Sequence, residues 1–158
     1  MILDTTTKPR LLELAFICSQ LSESERDQFE ALGFGDFDPE ALASMLYAKP
    51  GPKLLLKVDG VPVACGGYDS VSPGVMQSWM VGTEQGWARY GRAITRETRR
   101  FMRRLLSVEG IHRLQTMCLA DRSEARRWYE AIGLKHEATL RRFARDGRDC
   151  VLYARLEG

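Results

Sequence analysis

The residues best suited to chemistry lie in one run, Val81 to Leu106. An apolar stretch, Val75 to Val81, reads as a strand. A polar segment with Gly86, Arg89 and Gly91 follows and reads as a loop. From Gly91 the period changes: Ile94, Phe101 and Leu105 recur at helical spacing with Met102 and Leu106 beside them, while Arg96, Arg99, Arg100, Arg103 and Arg104 stay off that seam. A strand that enters a helix through such a loop aims backbone N–H groups and the positive end of a helix dipole at one point, which suits a phosphate. Arg89, Arg92 and Arg96 add forked cationic donors. The same pattern also serves a plain strand–loop–helix with no ligand.

Other reactive side chains are scattered. Glu84 falls in the expected loop, His112 starts a strand and His136 follows a helix; each reads as a surface or structural residue before it reads as a base. Cys18, Cys65, Cys118 and Cys150 form no CxxC pair and sit among apolar neighbours, as buried free thiols do. Trp87 reads as a packing residue.

The elements that must position these groups follow from the rest of the chain. Its 158 residues, 44% hydrophobic and 28% charged, suit one globular domain spanning 1–158. No apolar run reaches the roughly 18 to 20 residues of a membrane span, and the start lacks a signal-peptide pattern, so the expected place is the cytoplasm. Residues 1–79 carry a net charge of −5 and residues 80–158 of +7, nearly all from arginine. An anionic cofactor, an acidic partner and nucleic acid all suit that half.

Pro9 marks a first helix whose apolar face is Leu11, Leu14, Ala15 and Cys18. Ser22 with Glu25 reads as a capping box for a helix over 23–32, and Asp38–Pro39 opens a third helix to about Ala48. A meander follows: Leu54 to Val58, a turn at Asp59–Gly60, Val61 to Tyr68, a turn at Ser72 to Gly74, then Val75 to Val81. Gly66–Gly67 signals a bulge or a close backbone approach. After the arginine helix come a strand Ile111 to Leu119, parallel to the one before the helix, a helix capped within Asp121 to Glu124 and ended by Gly133, and two strands, Leu134 to Phe143 and Cys150 to Leu156, joined near Asp146–Gly147.

This order, α/β with a mostly antiparallel mixed sheet and one parallel strand–helix–strand unit, resembles the GNAT N-acetyltransferase fold. The segment Ala120 to Leu134 is similar to that family's Asn-x-x-Ala-x-x-x-Tyr-x-x-x-Gly-Phe motif, and Asp146 to Arg155 is similar to its final hairpin. The family's cofactor loop, Gln/Arg-x-x-Gly-x-Gly/Ala, is met only in part. One register uses Gly91-Arg92-Ala93 and puts Ala88 at the first position. The other ends at Gly91 and puts Gly86 and Arg89 at the first two, a register that helix phase favours. The string Val-x-Thr-Glu-Gln-x-Trp-x-x-x-Gly-Arg-Ala is also similar to GNAT-like proteins of short-tailed phages, among them an internal virion protein, which adds the virion as a second expected location.

The resemblance implies acetyl-CoA as cofactor and an amine, on a protein or a small molecule, as acceptor. It implies pantetheine held along the backbone of Met80 and Val81, pyrophosphate near Arg89, Gly91 and Arg92, a cofactor contact at Ser123, and Tyr129 as the acid that protonates the leaving thiolate. The family's usual glutamate base on the strand before the loop has no counterpart in residues 75–81. Two other readings stand beside this one: a non-catalytic GNAT-fold virion or interaction protein, and a nucleic-acid binder using the arginine helix, which lacks exposed aromatics for reading bases.

Overall fold

Leucine, valine and cysteine alternate along the central strands so that both faces of one sheet bury apolar side chains, and helices cover each face. The computed structural model describes residues 1–33 and 35–157. The elements in order are β1 (Leu3–Thr6), α1 (Leu11–Cys18), α2 (Glu23–Leu32), α3 (Pro39–Ala48), β2 (Lys53–Val58), β3 (Val61–Ser72), β4 (Val75–Gly82), α4 (Glu84–Leu106), β5 (Arg113–Leu119), α5 (Ser123–Ala131), β6 (Lys135–Leu140) and β7 (Cys150–Leu156). All seven strands join one sheet in the order β1-β2-β3-β4-β5-β7-β6. Only β4 and β5 pair in parallel. No described helix is long and apolar enough to cross a membrane.

Leu55, Cys65 and Val81 point to one face and meet Leu14, Ile17, Cys18, Leu42 and Leu46 of α1 and α3. Leu54, Leu56, Ala64 and Tyr68 point to the other and meet Ile94, Phe101, Met102 and Leu105 of α4 and Tyr129 and Ile132 of α5. The α1 face is rotated from its expected phase: Glu13, Leu14, Ile17 and Cys18 are buried and Leu11 is exposed. Glu13 is tolerated inside because its carboxylate accepts from the Arg10 amide at 2.9 Å and pairs with Lys57 at 3.1 Å. All four cysteines are buried and free.

Two corrections to the expected elements matter, and one open alternative is decided. A first strand, β1, pairs with β2; four residues with no alternation in burial gave it no periodic signal. The Gly66–Gly67 pair is a close approach: a Cβ on Gly67 would lie 2.6 Å from the Trp79 ring, while the register shifts of β3 fall elsewhere. The expected loop over 84–90 is helical. Thr83 caps it, its hydroxyl accepting from the Gly86 N–H at 2.9 Å, and α4 runs on with a break at Tyr90 (φ −123°, ψ 18°). A serine-family cap three residues before a glycine amide outweighed the low helix propensity of Gly86.

Two glycines separate structural need from freedom. A Cβ on Gly51 would lie 1.7 Å from the Tyr68 carbonyl oxygen, whereas one on Gly91 would meet nothing within 4 Å. Gly51→Ala should therefore cost about 2–4 kcal/mol in urea unfolding, and Gly91→Ala should be neutral or stabilising by up to about 1 kcal/mol.

Candidate active site between two diverging strands

The parallel ladder of β4 and β5 is short. It pairs Val75 with Arg113, Met76 with Leu114 and Gln77 with Gln115, and then stops. The Gln115 amide donates to the Gln77 side-chain oxygen at 3.1 Å at this last rung. Beyond it both strands continue, β4 to Gly82 and β5 to Leu119, each held by its outer neighbour. They diverge, and the inner edge of each loses its partner.

Alternation along the strands tells which groups face the gap. The Thr83 N–H donates to Val63 O at 2.9 Å, so Trp79, Val81 and Thr83 turn their amides to β3, and Met80 and Gly82 turn theirs to the gap. On β5 the Ala120 N–H donates to Asp149 O at 2.9 Å, so Met117 and Leu119 face the gap. Buried backbone groups need partners, and on the β5 side two side chains supply them. The Tyr129 hydroxyl donates to Met117 O at 3.3 Å, and Gln28 Oε1 accepts from the Leu119 N–H at 3.1 Å. A helix on each face thus reaches into the opening.

The gap forms a cavity of about 630 Å³ that passes through the sheet. Ser78, Trp79, Met80, Thr116 and Met117 line its two strand edges; Glu25, Gln28, Phe29 and Leu32 of α2 line one side, and Phe101, Trp128, Tyr129 and Ile132 the other. Three contacts fix α2 over it. Arg122 donates to Ser24 and Gln28, each at 2.9 Å; Arg148 makes two 2.8 Å bonds to Asp27; and the Arg145 amide donates to Ala31 O at 2.8 Å. In the motif match of the sequence, Arg122 stands where the family motif has asparagine.

Of the residues singled out from sequence, Met80 and Tyr129 line the cleft. Val81 is fully buried against α1 and α3, with its amide turned to β3. Burial pushes the Tyr129 phenol well above its ordinary pKa, so it keeps its proton. Arg89, Gly91, Arg92 and Arg96 lie together on a second, open hollow beside the cleft, with Arg99, Arg103 and Arg155. Among the described residues no aspartate or glutamate lines that hollow. Ser123 is exposed in the first turn of α5 and lines neither cavity. His112 and His136 are exposed away from the cleft, His136 standing edge-on to Tyr153. Among the described residues no group of three or more His, Cys, Asp or Glu is arranged to hold a metal.

Trp87 and Trp128 line both cavities and stand between them, edge to face with ring centroids 5.0 Å apart. Trp128 Nε1 donates to Thr95 Oγ1 at 3.0 Å. The Trp87 indole lies on the Gly82 backbone, where a Cβ would come within 2.4 Å of its nitrogen. That nitrogen donates to Glu25 Oε1 at 3.3 Å.

Glu25 is the residue that sequence reading missed. The Ser22 hydroxyl does accept from its N–H, at 3.3 Å, as a helix cap should. Its carboxylate, however, is buried and lines the cleft, and Oε2 has no hydrogen-bond partner. Burial raises its pKa to about 7, against the opposing pull of Arg122, the Trp87 N–H and the amides of Ser22 and Gly82. Trp79 Nε1, also on the cleft, is the other orphaned polar atom there. A raised carboxyl pKa favours the folded state at low pH, and that contribution is lost as pH rises from about 4.5 through about 7. Glu25→Gln should therefore match the parent near pH 4.5 and exceed it at pH 8, by roughly 3 kcal/mol at most, in urea titrations at the two pH values. Equal stabilities at both would contradict the burial argument.

No protein-family model and no curated protein sequence matches the chain. Solved structures do. An N-acetyltransferase from Staphylococcus aureus superposes with a TM-score of 0.79 at 11% identity over 100% of both chains. A GNAT-family acetyltransferase from Streptococcus pneumoniae superposes with a TM-score of 0.68 at 14% identity, over 99% of this chain and 100% of that one. A Salmonella typhimurium protein solved with its cofactor acetyl-CoA gives a TM-score of 0.68 at 12% identity, over 99% and 94%. At these identities the likeness speaks for architecture, and the architecture of this chain is the GNAT N-acetyltransferase fold.

Proposed function

We propose that this protein is an acetyl-CoA-dependent N-acetyltransferase that works in the gap between β4 and β5. The observation that carries the reading is the early end of the β4–β5 ladder, which leaves the Met80 amide facing a cavity opposite Tyr129, with the Gly82 amide next along the same edge under Trp87. The solved Salmonella protein with the same fold holds acetyl-CoA.

The residues present suit such a group. Gly91 leaves open space beside a hollow lined by arginines and by no carboxylate, so guanidinium groups of Arg89, Arg92, Arg96 and Arg99 would receive its phosphates where the family uses a run of loop amides. The cleft is mostly apolar with the Met80 amide as a fixed donor on one edge, which suits the methylene and amide groups of a pantetheine arm. When bound, the group supplies an acyl thioester. The Met80 amide would donate to the thioester oxygen as it gains negative charge and, being already oriented, would need no reorganisation, while the Gly82 amide, two residues along the strand, would be left for another polar group of the arm. Tyr129 keeps its proton until a thiolate needs it. Trp87 must leave the Gly82 backbone for the two cavities to become one.

That seated indole also favours a second reading. A Trp87 fixed on Gly82 by Glu25 would keep the cleft shut, and the protein would then be a non-catalytic GNAT-fold partner of protein or DNA, of the kind packed in short-tailed phage particles.

Isothermal titration should give acetyl-CoA binding in the micromolar range, weakened at least tenfold by Arg92→Glu with Arg96→Glu; silence at millimolar cofactor selects the second reading. Where binding is seen, Tyr129→Phe should slow amine acetylation by about 100-fold at unchanged cofactor affinity, and an unaltered rate removes Tyr129 as the acid.

A further inference from the structure

We propose that Glu25 is the group that receives the acceptor's ammonium and takes its proton, a role that a helix, not the central strand, fills in this chain. This rests on the transferase reading above. The argument begins with the unmatched oxygen. Glu25 is 7% exposed, Oε1 accepts from Trp87, and Oε2 makes no hydrogen bond of normal geometry, although the Ser22 and Gly82 amides lie near enough to pull on the carboxylate. A buried carboxylate oxygen without a donor is costly, and the donor it lacks is best supplied by something that enters the cleft. Nearby cations do not fill the need. Arg122 directs Nε and Nη1 to Ser24, Gln28 and Glu124 and acts on Glu25 through space without a hydrogen bond, and the hollow's arginines lie beyond the tryptophan pair.

The side of the cleft on which Glu25 sits narrows the ligand. It is the α2 side, away from the arginine hollow, where a second substrate would meet a thioester held along β4. Phe29, Leu32, Trp79 and Phe143 line the cleft with it. The fit is a primary amine on an apolar group, arriving as the ammonium ion. β4 itself offers only Met76, Gln77, Ser78, Trp79 and Met80 over the splayed region and its approach, none able to take a proton at neutral pH. The charged and titratable groups that share the cleft with Glu25 or act on it are Arg122 and Glu124 from the start of α5, Glu84 from the start of α4, Tyr129 and, from α1, the Cys18 thiol, which burial and Glu25 push up to about 12. Among them Glu25 alone is both buried and raised to a pKa near neutrality.

The proton balance closes. Oε2 takes one proton from R–NH3+, freeing the nitrogen lone pair. As the C–N bond forms and the C–S bond breaks, Tyr129 gives its proton to sulfur. The second proton lost by nitrogen returns through solvent to Tyr129, and Glu25 releases its own to solvent before the next turnover.

Two readouts on the full chain test this, with phenethylamine as probe. In the first, protein with 13C-labelled glutamate carboxyls is titrated with pH, and Glu25→Gln assigns the signal. Phenethylammonium should perturb the Glu25 signal and lower its midpoint, because a cation at Oε2 favours the carboxylate. A signal that the amine leaves unmoved overturns the proposal, whether or not the protein is an enzyme. In the second, acetylation of phenethylamine should fall at least 100-fold in Glu25→Gln and lose the acid limb near pH 7, while acetyl-CoA affinity stays within twofold. Glu25→Asp, which keeps the charge, should retain that limb at a reduced rate. A parental rate and profile in Glu25→Gln overturns the role as base. Loss of acetyl-CoA binding in the parent itself would instead overturn the transferase reading, and the carboxyl titration would still decide the ammonium site.

Discussion

Two neighbouring parallel strands that stop pairing halfway create a demand for hydrogen-bond partners, and the rest of this molecule answers it. After Gln77 and Gln115 the inner edges of β4 and β5 have backbone groups and no ladder. On β5 the demand is met from both faces of the sheet, by Tyr129 of α5 and by Gln28 of α2. On β4 the Met80 amide remains turned to the cavity, while the Gly82 amide lies under Trp87 and beside Glu25. A gap whose one edge is satisfied by side chains and whose other edge keeps a free donor is an asymmetric site, and that donor is what the proposed function uses. The price of opening a sheet is also why α2 is tied down so thoroughly: if α2 drifted, Leu119 would lose its acceptor and Glu25 its place.

The start of α4 sets the terms for anything phosphorylated. A helical segment over 84–89 replaces an open loop, so its first N–H groups are consumed locally by Thr83, and the Glu84 N–H donates to Gln20 O. The chain then breaks at Tyr90 and resumes at Gly91, beside a hollow whose charged side chains, among the described residues, are all arginine. Guanidinium groups on long side chains can follow a ligand in a way that fixed amides cannot, at a higher cost in side-chain entropy. Trp87, carried by the same helical segment, spans from Gly82 to Glu25 to Trp128. One residue therefore couples the strand edge, the buried carboxylate and the hollow.

How much of this could be read from residues alone depended on whether the signal was local. Capped, periodic segments were legible: the Ser22 and Asp38 caps, the Asp59–Gly60 turn, the Gly133 stop and the Ile94, Phe101, Leu105 seam all fall where spacing placed them. Arg89, Arg92, Arg96, Arg99 and Arg103 of the hollow were legible through the same periodicities and Tyr129 through the motif, whereas Arg155, brought in from the last strand, was not. What was not legible depended on distance. Glu25 satisfied a local rule, the helix cap, and that rule hid a carboxylate whose surroundings come from Trp87 and Arg122, some sixty and a hundred residues further on. Thr83 looked like part of a loop because glycines at 86 and 91 argue against helix, and a single cap plus the packing of Trp87 prevailed. The short edge strand β1 has no alternation to detect.

The central claim is that β4 carries an unpaired amide, that of Met80, on its inner edge for a thioester to use. Residue-resolved amide exchange by NMR tests it most directly. In the free protein Met80 should exchange faster than Trp79, Val81 and Thr83, and saturating acetyl-CoA should slow Met80 at least tenfold. Uniform protection along β4 in the free protein, or slowing confined to the residues around Gly91, would contradict it.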